Sequence, residues 1–119
     1  MNRTQGINDV TQVLKQYEEG TRNRDIPLLQ SIFHENALMS GYMAGNLMVG
    51  SPQPFFDFLA ANTVSPEYSS SIVAVEISGN TASATVYEDQ LFDLSFVNNF
   101  QLIKTEGKWL IVAKLFHHD

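Results

Sequence analysis

The sequence lacks cysteine, and its 119 residues include only seven lysines and arginines. Without cysteine the chain can form neither disulfides nor thiolate metal sites, and it has no thiol nucleophile. Thirteen acidic residues give a formal net charge of −6, which disfavours binding to nucleic-acid phosphates and anionic lipids. No apolar run approaches the roughly 18 residues that span a bilayer, and residues 1–6 lack the apolar core of a signal peptide. We therefore expect a cytoplasmic protein that binds neither nucleic acid nor membrane.

The rest of the composition is typical of one folded domain. Hydrophobic residues make up 44% of the chain and charged residues only 17%, which is not a disordered profile. A chain of this length buries about two-thirds of its unfolded surface, which is enough for one core. We predict a single domain over residues 1–119, without repeats or linkers.

Three helices and a short strand are predicted in the first half. Apolar residues at steps of three and four predict a first helix that buries Tyr17. Asp25 is a favourable N-cap for a second helix, and Ser51, followed by proline, predicts the start of a third. Ala37–Tyr42 is typical of a short strand. The second half alternates with period two, which predicts antiparallel strands.

Two-residue turns set the predicted register of these strands. A turn at residues 79–80 brings the apolar faces of its two strands together. A turn at residues 106–107 pairs Leu102 with Ile111 and Asn98 with Leu115. The inward face of this second hairpin is then predicted to carry Phe96, Asn98, Phe100, Leu102, Trp109, Ile111, Ala113 and Leu115. Helices followed by antiparallel strands predict an α+β fold with three helices packed on one sheet face.

A sheet that curls around helices can leave an apolar cavity that a few polar groups face. The strand alternation places Glu88 and Gln90 next in line after the inward-facing Val86. A buried carboxylate can act as a general base, so Glu88 with Tyr17 is a candidate catalytic pair. The alternative is that the strand has left the core by residue 88, and Glu88 contacts solvent. The predicted ligand-binding residues are Tyr17, Met39, Phe55, Phe58, Gln90, Asn98, Phe100 and Trp109, with Phe56 and Leu115 completing the lining.

The predicted outer face of the sheet is too apolar for a monomer in water. It carries Ile72, Tyr87, Val97, Val112 and Phe116, and we expect a homodimer through this face. The sequence contains no phosphate-binding loop, dinucleotide fingerprint or zinc-protease motif, and we predict no metal or cofactor.

Three segments near the N-terminus and one at the C-terminus resemble a known superfamily. VLKQYEEG at 13–20, DIPLL at 25–29 and IFHENA at 32–37 resemble the opening of nuclear-transport-factor-2-like (SnoaL-like) proteins. FQLIKTEGKWLIVAKLF at 100–116 resembles the putative lumazine-binding branch. The resemblance implies a cone-shaped α+β barrel, in which a strongly bent antiparallel sheet surrounds a pocket and three helices pack on its concave face. It also implies a dimer.

The same superfamily includes ketosteroid isomerase, which uses a tyrosine and two aspartic acids. Tyr17 matches the tyrosine, whereas the two aspartate positions fall at or beside Gly41, where Ser40 and Tyr42 are its neighbours, and at Asn98, or Asn99 if the turn lengths differ. Neither position supplies a carboxylate, so this resemblance does not favour an isomerase.

Three functions remain open from the sequence. The favoured one is a domain that binds a small apolar or aromatic ligand. The second is an acid–base enzyme of the isomerase, cyclase or dehydratase type that uses Glu88 and Tyr17. The third is a dimerisation domain without a ligand.

Overall fold

Three helices and six strands make up the computed structural model, which describes residues 2–119. Met1, counted in the predicted domain, lies outside the described residues. The helices are α1 (Arg3–Asn23), α2 (Ile26–Ile32) and α3 (Gln53–Ala61). The strands are β1 (Phe33–Met43), β2 (Asn46–Gly50), β3 (Ser69–Ser78), β4 (Thr81–Leu91), β5 (Leu94–Thr105) and β6 (Lys108–His118).

Side-chain caps set where α1 and α2 begin, and one arginine connects α3 to them. α1 begins after Asn2, whose Oδ1 accepts a hydrogen bond from the Gln5 backbone N–H at 2.7 Å. α2 begins after Asp25, as predicted. Between them Arg24 adopts φ 54°, and its guanidinium donates to the backbone carbonyls of Leu59 and Ala60, each at 2.7 Å. Since the last carbonyls of a helix have no partner within that helix, this arginine anchors the end of α3 to the corner between α1 and α2.

The six strands form one curved sheet in the order β2-β1-β6-β5-β4-β3. The helices pack on the concave face, with α1 against β3 and β6, and the α+β class is confirmed. Two details differ from the expectation. The sheet does not close into a barrel, and β1 runs parallel to β6. Most of the chain separates these two strands, so no tight hairpin forces them to be antiparallel.

Both predicted hairpin turns are present, but a bulge in β6 changes the pairing beyond the second one. Leu102 pairs with Ile111 as predicted, whereas Gln101 pairs with Ala113, so Val112 is an extra residue in β6. A shift of one residue turns every later side chain to the opposite face. Leu115, predicted to face inward, is therefore 56% exposed, and Lys114, predicted to face outward, is 3% exposed.

A second bulge lies in β4. Glu88 pairs with Phe96, but the next pair is Leu91 with Leu94, so the intervening residues are out of register. Gln90 adopts φ 58° and is exposed. The prediction that Gln90 faces the interior is therefore wrong, and Leu91, which is 3% exposed, occupies the next inward position.

The outer face of the sheet also differs in its residues. Phe116, which was predicted there, is 4% exposed and faces inward because of the β6 bulge. Ile72 packs against the core, since a bulge in β3 pairs it with Val86. Tyr87 is 48% exposed, as expected, and Val97 and Val112 are half-buried. The large apolar side chains most exposed on β1, β2 and β6 are Leu38, Tyr42, Leu47, Val49 and Leu115.

Within residues 2–119, no helix combines the length and the apolar character needed to cross a lipid bilayer.

Candidate functional site

A cavity of about 370 Å³ lies between α3 and the ends of strands from the curved sheet. Its walls are apolar apart from two residues, Glu88 of β4 and Lys114 of β6. The other lining residues are Met39, Met43, Met48, Pro54, Phe55, Phe58, Leu91, Phe92, Leu94, Phe96 and Phe116. A small molecule in this cavity would meet hydrocarbon on most sides and two ionisable groups on one side.

Two aromatic rings lie at the rim of the cavity. Phe58 of α3 is 50% exposed, and its ring centroid lies 4.6 Å from that of Phe92 in the turn between β4 and β5. Phe92 and Asp93 have φ of 53° and 64°, values that favour asparagine or glycine over phenylalanine. The turn therefore holds a large ring over the cavity in a backbone conformation that is costly for that residue.

The carboxylate of Glu88 accepts hydrogen bonds from three buried side chains, and Glu88 itself is 1% exposed. Its Oε1 accepts from the Tyr17 hydroxyl at 3.1 Å and from Asn98 Nδ2 at 2.5 Å. Its Oε2 accepts from the Tyr68 hydroxyl at 2.5 Å. A buried carboxylate needs such donors because it has lost its contact with water.

Lys114 reaches the same cluster through Tyr17. Its Nζ donates to the Tyr17 hydroxyl at 2.7 Å, and that hydroxyl donates in turn to Glu88. The ammonium also lies 4.0 Å from the centroid of the Phe55 ring and 4.9 Å from that of Tyr17, which are cation–π distances. Lys114 and Glu88 are thus linked by one shared hydroxyl.

Tyr68 is held from outside the cavity by a chain of surface contacts. The Arg22 guanidinium lies 5.2 Å from the centroid of the Tyr68 ring and donates to the Tyr68 carbonyl at 3.2 Å. Arg22 also pairs with Glu18 at 2.7 Å, and Glu18 accepts from the Ser70 hydroxyl. These contacts fix the ring whose hydroxyl completes the Glu88 cluster.

Burial shifts the pKa values of three groups in this cluster. Burial raises the pKa of Tyr17 and of Tyr68 well above the usual value for tyrosine, and the nearby charge of Glu88 adds to both shifts. Burial lowers the pKa of Lys114 to about 8, against the opposing effect of Glu88. Both phenols therefore stay protonated near neutral pH, and a measurable fraction of Lys114 is uncharged.

The predicted site residues divide into those that line the cavity, those that are buried outside its lining and two that are exposed. Met39, Phe55, Phe58 and Glu88 line the cavity. Phe56 packs in the core beside Phe33, and Leu115 is exposed on the outer face. Tyr17, Asn98, Phe100 and Trp109 are buried but do not line the cavity, although Tyr17 and Asn98 contact Glu88, and Gln90 is exposed.

Sequence reasoning missed Lys114 and Tyr68. Lys114 is the single charged residue between Trp109 and Phe116, a run apolar on both faces of the strand. A lysine in such a run is unusual. Because simple alternation takes no account of the bulge, it places Lys114 on the outer face of the sheet. Tyr68 lies just before β3, outside the helical and alternating patterns, and nothing in the sequence indicates a buried partner for it.

The packing around Gly41 leaves no room for a carboxylate side chain at one of the two isomerase positions. A Cβ added at Gly41 would lie closest to the backbone oxygen of Phe116 and 2.8 Å from two carbons of its ring, closer than real Cβ contacts occur. Because the β6 bulge turns Phe116 inward, its ring fills the space that a larger side chain at position 41 would need. At the second position, Asn98 supplies an amide donor to Glu88.

The curved sheet, the three helices on its concave side and the cavity between them define a nuclear-transport-factor-2-like domain. The model of the family described as "Putative lumazine-binding" matches residues 5–117. The chain therefore belongs to that family.

Solved structures with this fold resemble the chain over nearly its full length. An NTF2-like protein of unknown function from Shewanella baltica is 30% identical, with a TM-score of 0.93, over 100% of this chain and 98% of that one. A second, from Methylobacillus flagellatus, is 27% identical with a TM-score of 0.91, over 99% and 95% of the two chains. A putative dehydratase of the NTF2-like family from Streptomyces avermitilis, at 14% identity and a TM-score of 0.77 over 97% and 96%, shares the fold.

Among curated proteins, the chain is similar to aldolase FrzH from Cladobotryum sp. The two are 28% identical over 86 residues, which cover 71% of this chain and 69% of the aldolase.

Proposed function

We propose that this chain binds a mainly apolar small molecule carrying a ketone or aldehyde group, and transfers a proton at the carbon beside that group. The observation that carries the proposal is the pair Lys114 and Glu88. They are 3% and 1% exposed, and both face a cavity whose other walls are hydrocarbon. Ionisable groups are costly to bury, and such positions are frequent in catalytic sites.

The two groups have complementary roles in this chemistry. The Lys114 ammonium donates a hydrogen bond to the carbonyl oxygen and stabilises the negative charge that develops there. The Glu88 carboxylate accepts the proton from the neighbouring carbon. The two groups lie roughly 6 Å apart at most, since 2.7 Å and 3.1 Å separate them from the Tyr17 hydroxyl. A carbonyl oxygen and the adjacent C–H can bridge this span.

One relative supports this chemistry by its name. The curated relative is an aldolase, and an aldol reaction begins with proton removal beside a carbonyl. One structural relative is a putative dehydratase, at an identity that supports the shared fold alone. The apolar walls support the ligand class: the cavity offers no further charged group to a highly polar substrate.

Proton transfer can be tested with 1-indanone, an apolar ketone, by following deuterium uptake at its α-carbon in D₂O by NMR. We expect the wild-type chain to accelerate exchange, and Lys114→Met and Glu88→Gln each to reduce it by about 100-fold, a typical contribution of one acid or base. Lys108→Met and Glu106→Gln are the matched controls, because both residues are exposed, lie at the turn between β5 and β6 and do not line the cavity. Equal rates in the wild type and the two site variants would contradict the proposal.

Ligand binding has its own measurement. A compound that binds only the folded chain raises the midpoint of thermal unfolding. If 1-indanone stabilises the chain but its α-carbon does not exchange, the chain binds this ketone without catalysing proton transfer, and the proposed chemistry is excluded for it. The same stabilisation in Phe55→Ala, which removes a wall of the cavity, would show that the ketone binds elsewhere.

We also propose that the outer sheet face binds a second copy of the chain. Its exposed patch consists of Leu38, Tyr42, Leu47, Val49 and Leu115. At about 100 Å² for each side chain, the patch supplies on the order of 500 Å² of the about 800 Å² per partner in a standard interface.

The register of the sheet supports a second copy of the chain as the partner at this face. Ser40 pairs with both Val49 and Leu115, so the patch is continuous across three strands. The neighbouring positions are Asn99 and Thr85, which are polar but uncharged. Such a surface has no charge for an oppositely charged partner to pair with, but it can pack against its own copy about a two-fold axis.

Sedimentation velocity tests the assembly. We expect a dimer for the wild type and a monomer for Leu115→Lys, which places a charge within the patch. Ile7→Lys on α1 is the control, since Ile7 is 37% exposed and lies on a helix of the opposite layer. A monomeric wild type, or a dimer that Leu115→Lys leaves intact, would contradict this second proposal.

A further inference from the structure

Lys114 differs from the three other lysines of the chain in its surroundings. Lys15 and Lys108 are exposed and Lys104 is partly buried, whereas Lys114 is 3% exposed and faces the cavity. From this placement we infer that Lys114 forms a covalent imine with the carbonyl carbon of its substrate. The inference rests on the proposed function, because it requires a ketone or aldehyde in the cavity.

The contacts of Lys114 suit a nucleophile better than a structural ion pair. In a structural pair the ammonium would contact a carboxylate, but here the Tyr17 hydroxyl lies between Lys114 and Glu88. The remaining close contact is the ring of Phe55 at 4.0 Å. The amine therefore borders the apolar cavity and is tied to the anionic group by a hydroxyl that accepts from one partner and donates to the other.

This hydroxyl gives the reaction a path for its proton. The Lys114 ammonium passes one proton through Tyr17 to Glu88, and the neutral amine then attacks the carbonyl carbon, which forms a C–N bond. The carbonyl electron pair moves to oxygen, and that oxygen takes a proton from the nitrogen. Glu88 returns its proton through Tyr17, the hydroxyl group leaves as water, and the nitrogen lone pair forms the C=N bond. The products are a protonated imine and one water, and Glu88 is again a carboxylate.

Burial also makes the neutral amine available. With a pKa of about 8, roughly one Lys114 side chain in ten is uncharged at pH 7. An ordinary lysine is uncharged in roughly three cases in 10,000 at that pH. The titratable groups joined to it are Tyr17 of α1 and, through that hydroxyl, Glu88 of β4, while Phe55 of α3 is apolar.

Reductive trapping tests the imine directly. The wild-type chain is incubated with 1-indanone and sodium cyanoborohydride, digested with a protease that does not cleave at lysine, and mapped by mass spectrometry. A reduced imine adds the mass of the ketone less one oxygen atom. We expect at least about tenfold more label on Lys114 than on Lys15, Lys104 or Lys108, because Lys114 is the lysine that lines the cavity and its amine is partly neutral.

Two variants and a pH series separate this role from a structural one. Lys114→Met should lose the label at this position, and Tyr17→Phe should slow labelling at least about tenfold, as the loss of a proton-transfer group does. In the wild type, the rate at Lys114 should increase through pH 8 and then level off, a readout that needs no variant to fold.

The outcomes distinguish the inference from the proposed function. Trapping at Lys114 together with deuterium exchange supports both. Exchange without trapping, or label spread evenly over the four lysines, would overturn the imine and leave the non-covalent role of Lys114. Trapping without exchange would support the imine and contradict proton transfer at the neighbouring carbon. If neither trapping nor exchange is observed, both the imine and the proposed function are overturned.

Discussion

The stability of the protein should increase with pH between about 8 and 10 because of Lys114. The folded chain holds this amine with a pKa of about 8, whereas the unfolded chain restores it to the ordinary value of about 10.5. Between these two values the unfolded state binds more protons than the folded state. Stability therefore rises with pH in this interval, and it is insensitive to Lys114 below about pH 8, where both states are protonated.

The size of the effect follows from the width of the interval. Each pH unit is worth about 1.4 kcal/mol for one proton, and the folded chain has lost half of the Lys114 proton at pH 8, so Lys114 alone contributes a rise of about 2 kcal/mol between pH 8 and pH 10. Loss of phenolic protons from the unfolded chain reduces the net rise to about 1 kcal/mol by pH 10. Above pH 10 the sign reverses. The pKa values of Tyr17 and Tyr68 are raised in the folded chain, so the unfolded chain loses phenolic protons that the folded chain keeps. Stability should therefore pass through a maximum near pH 10.

Urea unfolding at a series of pH values measures this curve. Trp109, the single tryptophan, is 6% exposed and provides the fluorescence signal. Lys114→Met should abolish the rise between pH 8 and 10 but keep the fall above pH 10. Lys108→Met should keep both, because that lysine is exposed. A wild-type curve that is flat from pH 8 to 10, or an equal rise in Lys114→Met, would refute the reasoning.

Three further substitutions test separate parts of the site by their effect on the free energy of unfolding. Tyr68→Phe removes the donor at 2.5 Å from Glu88 and should cost about 1–3 kcal/mol in urea unfolding, whereas a loss below about 0.5 kcal/mol would mean that this hydrogen bond is not formed. Phe92→Asn suits a turn with positive φ and should leave the protein equally stable or up to about 1 kcal/mol more stable, while 1-indanone should raise its thermal midpoint less than in the wild type. Undiminished stabilisation by the ketone would exclude Phe92 from the binding site. Gly41→Ala places a Cβ against Phe116 and should destabilise by about 1–3 kcal/mol; an unchanged urea midpoint would show that Phe116 does not fill this space.

The fold was predictable because local patterns and turn chemistry agree in this sequence. Helical spacing put Tyr17 on a buried face, and Tyr17 is fully buried. The turn at residues 106–107 set the register of the last hairpin near the turn, where Leu102 pairs with Ile111. The parallel pairing of β1 with β6 depends on contacts between distant parts of the chain, and local patterns carry no information about it.

The site was predicted only in part, since bulges decide which side chains face the cavity. The extra residue Val112 turns Lys114 and Phe116 inward, and the irregular pairing after Glu88 turns Gln90 outward. A bulge costs little and has no fixed sequence pattern, so simple alternation fails beyond it. Glu88 lies before the irregularity in its strand, and there the expectation from alternation agrees with its burial.

The central claim is that a buried lysine faces the cavity and is joined to Glu88 through Tyr17. The most direct measurement is an NMR pH titration of the lysine side chains in the protein labelled with ¹³C at Cε. The account predicts one lysine signal that titrates near pH 8 and that is absent from Lys114→Met. A Lys114 signal, assigned by its loss in Lys114→Met, that titrates near the ordinary lysine value of about 10.5 would contradict it.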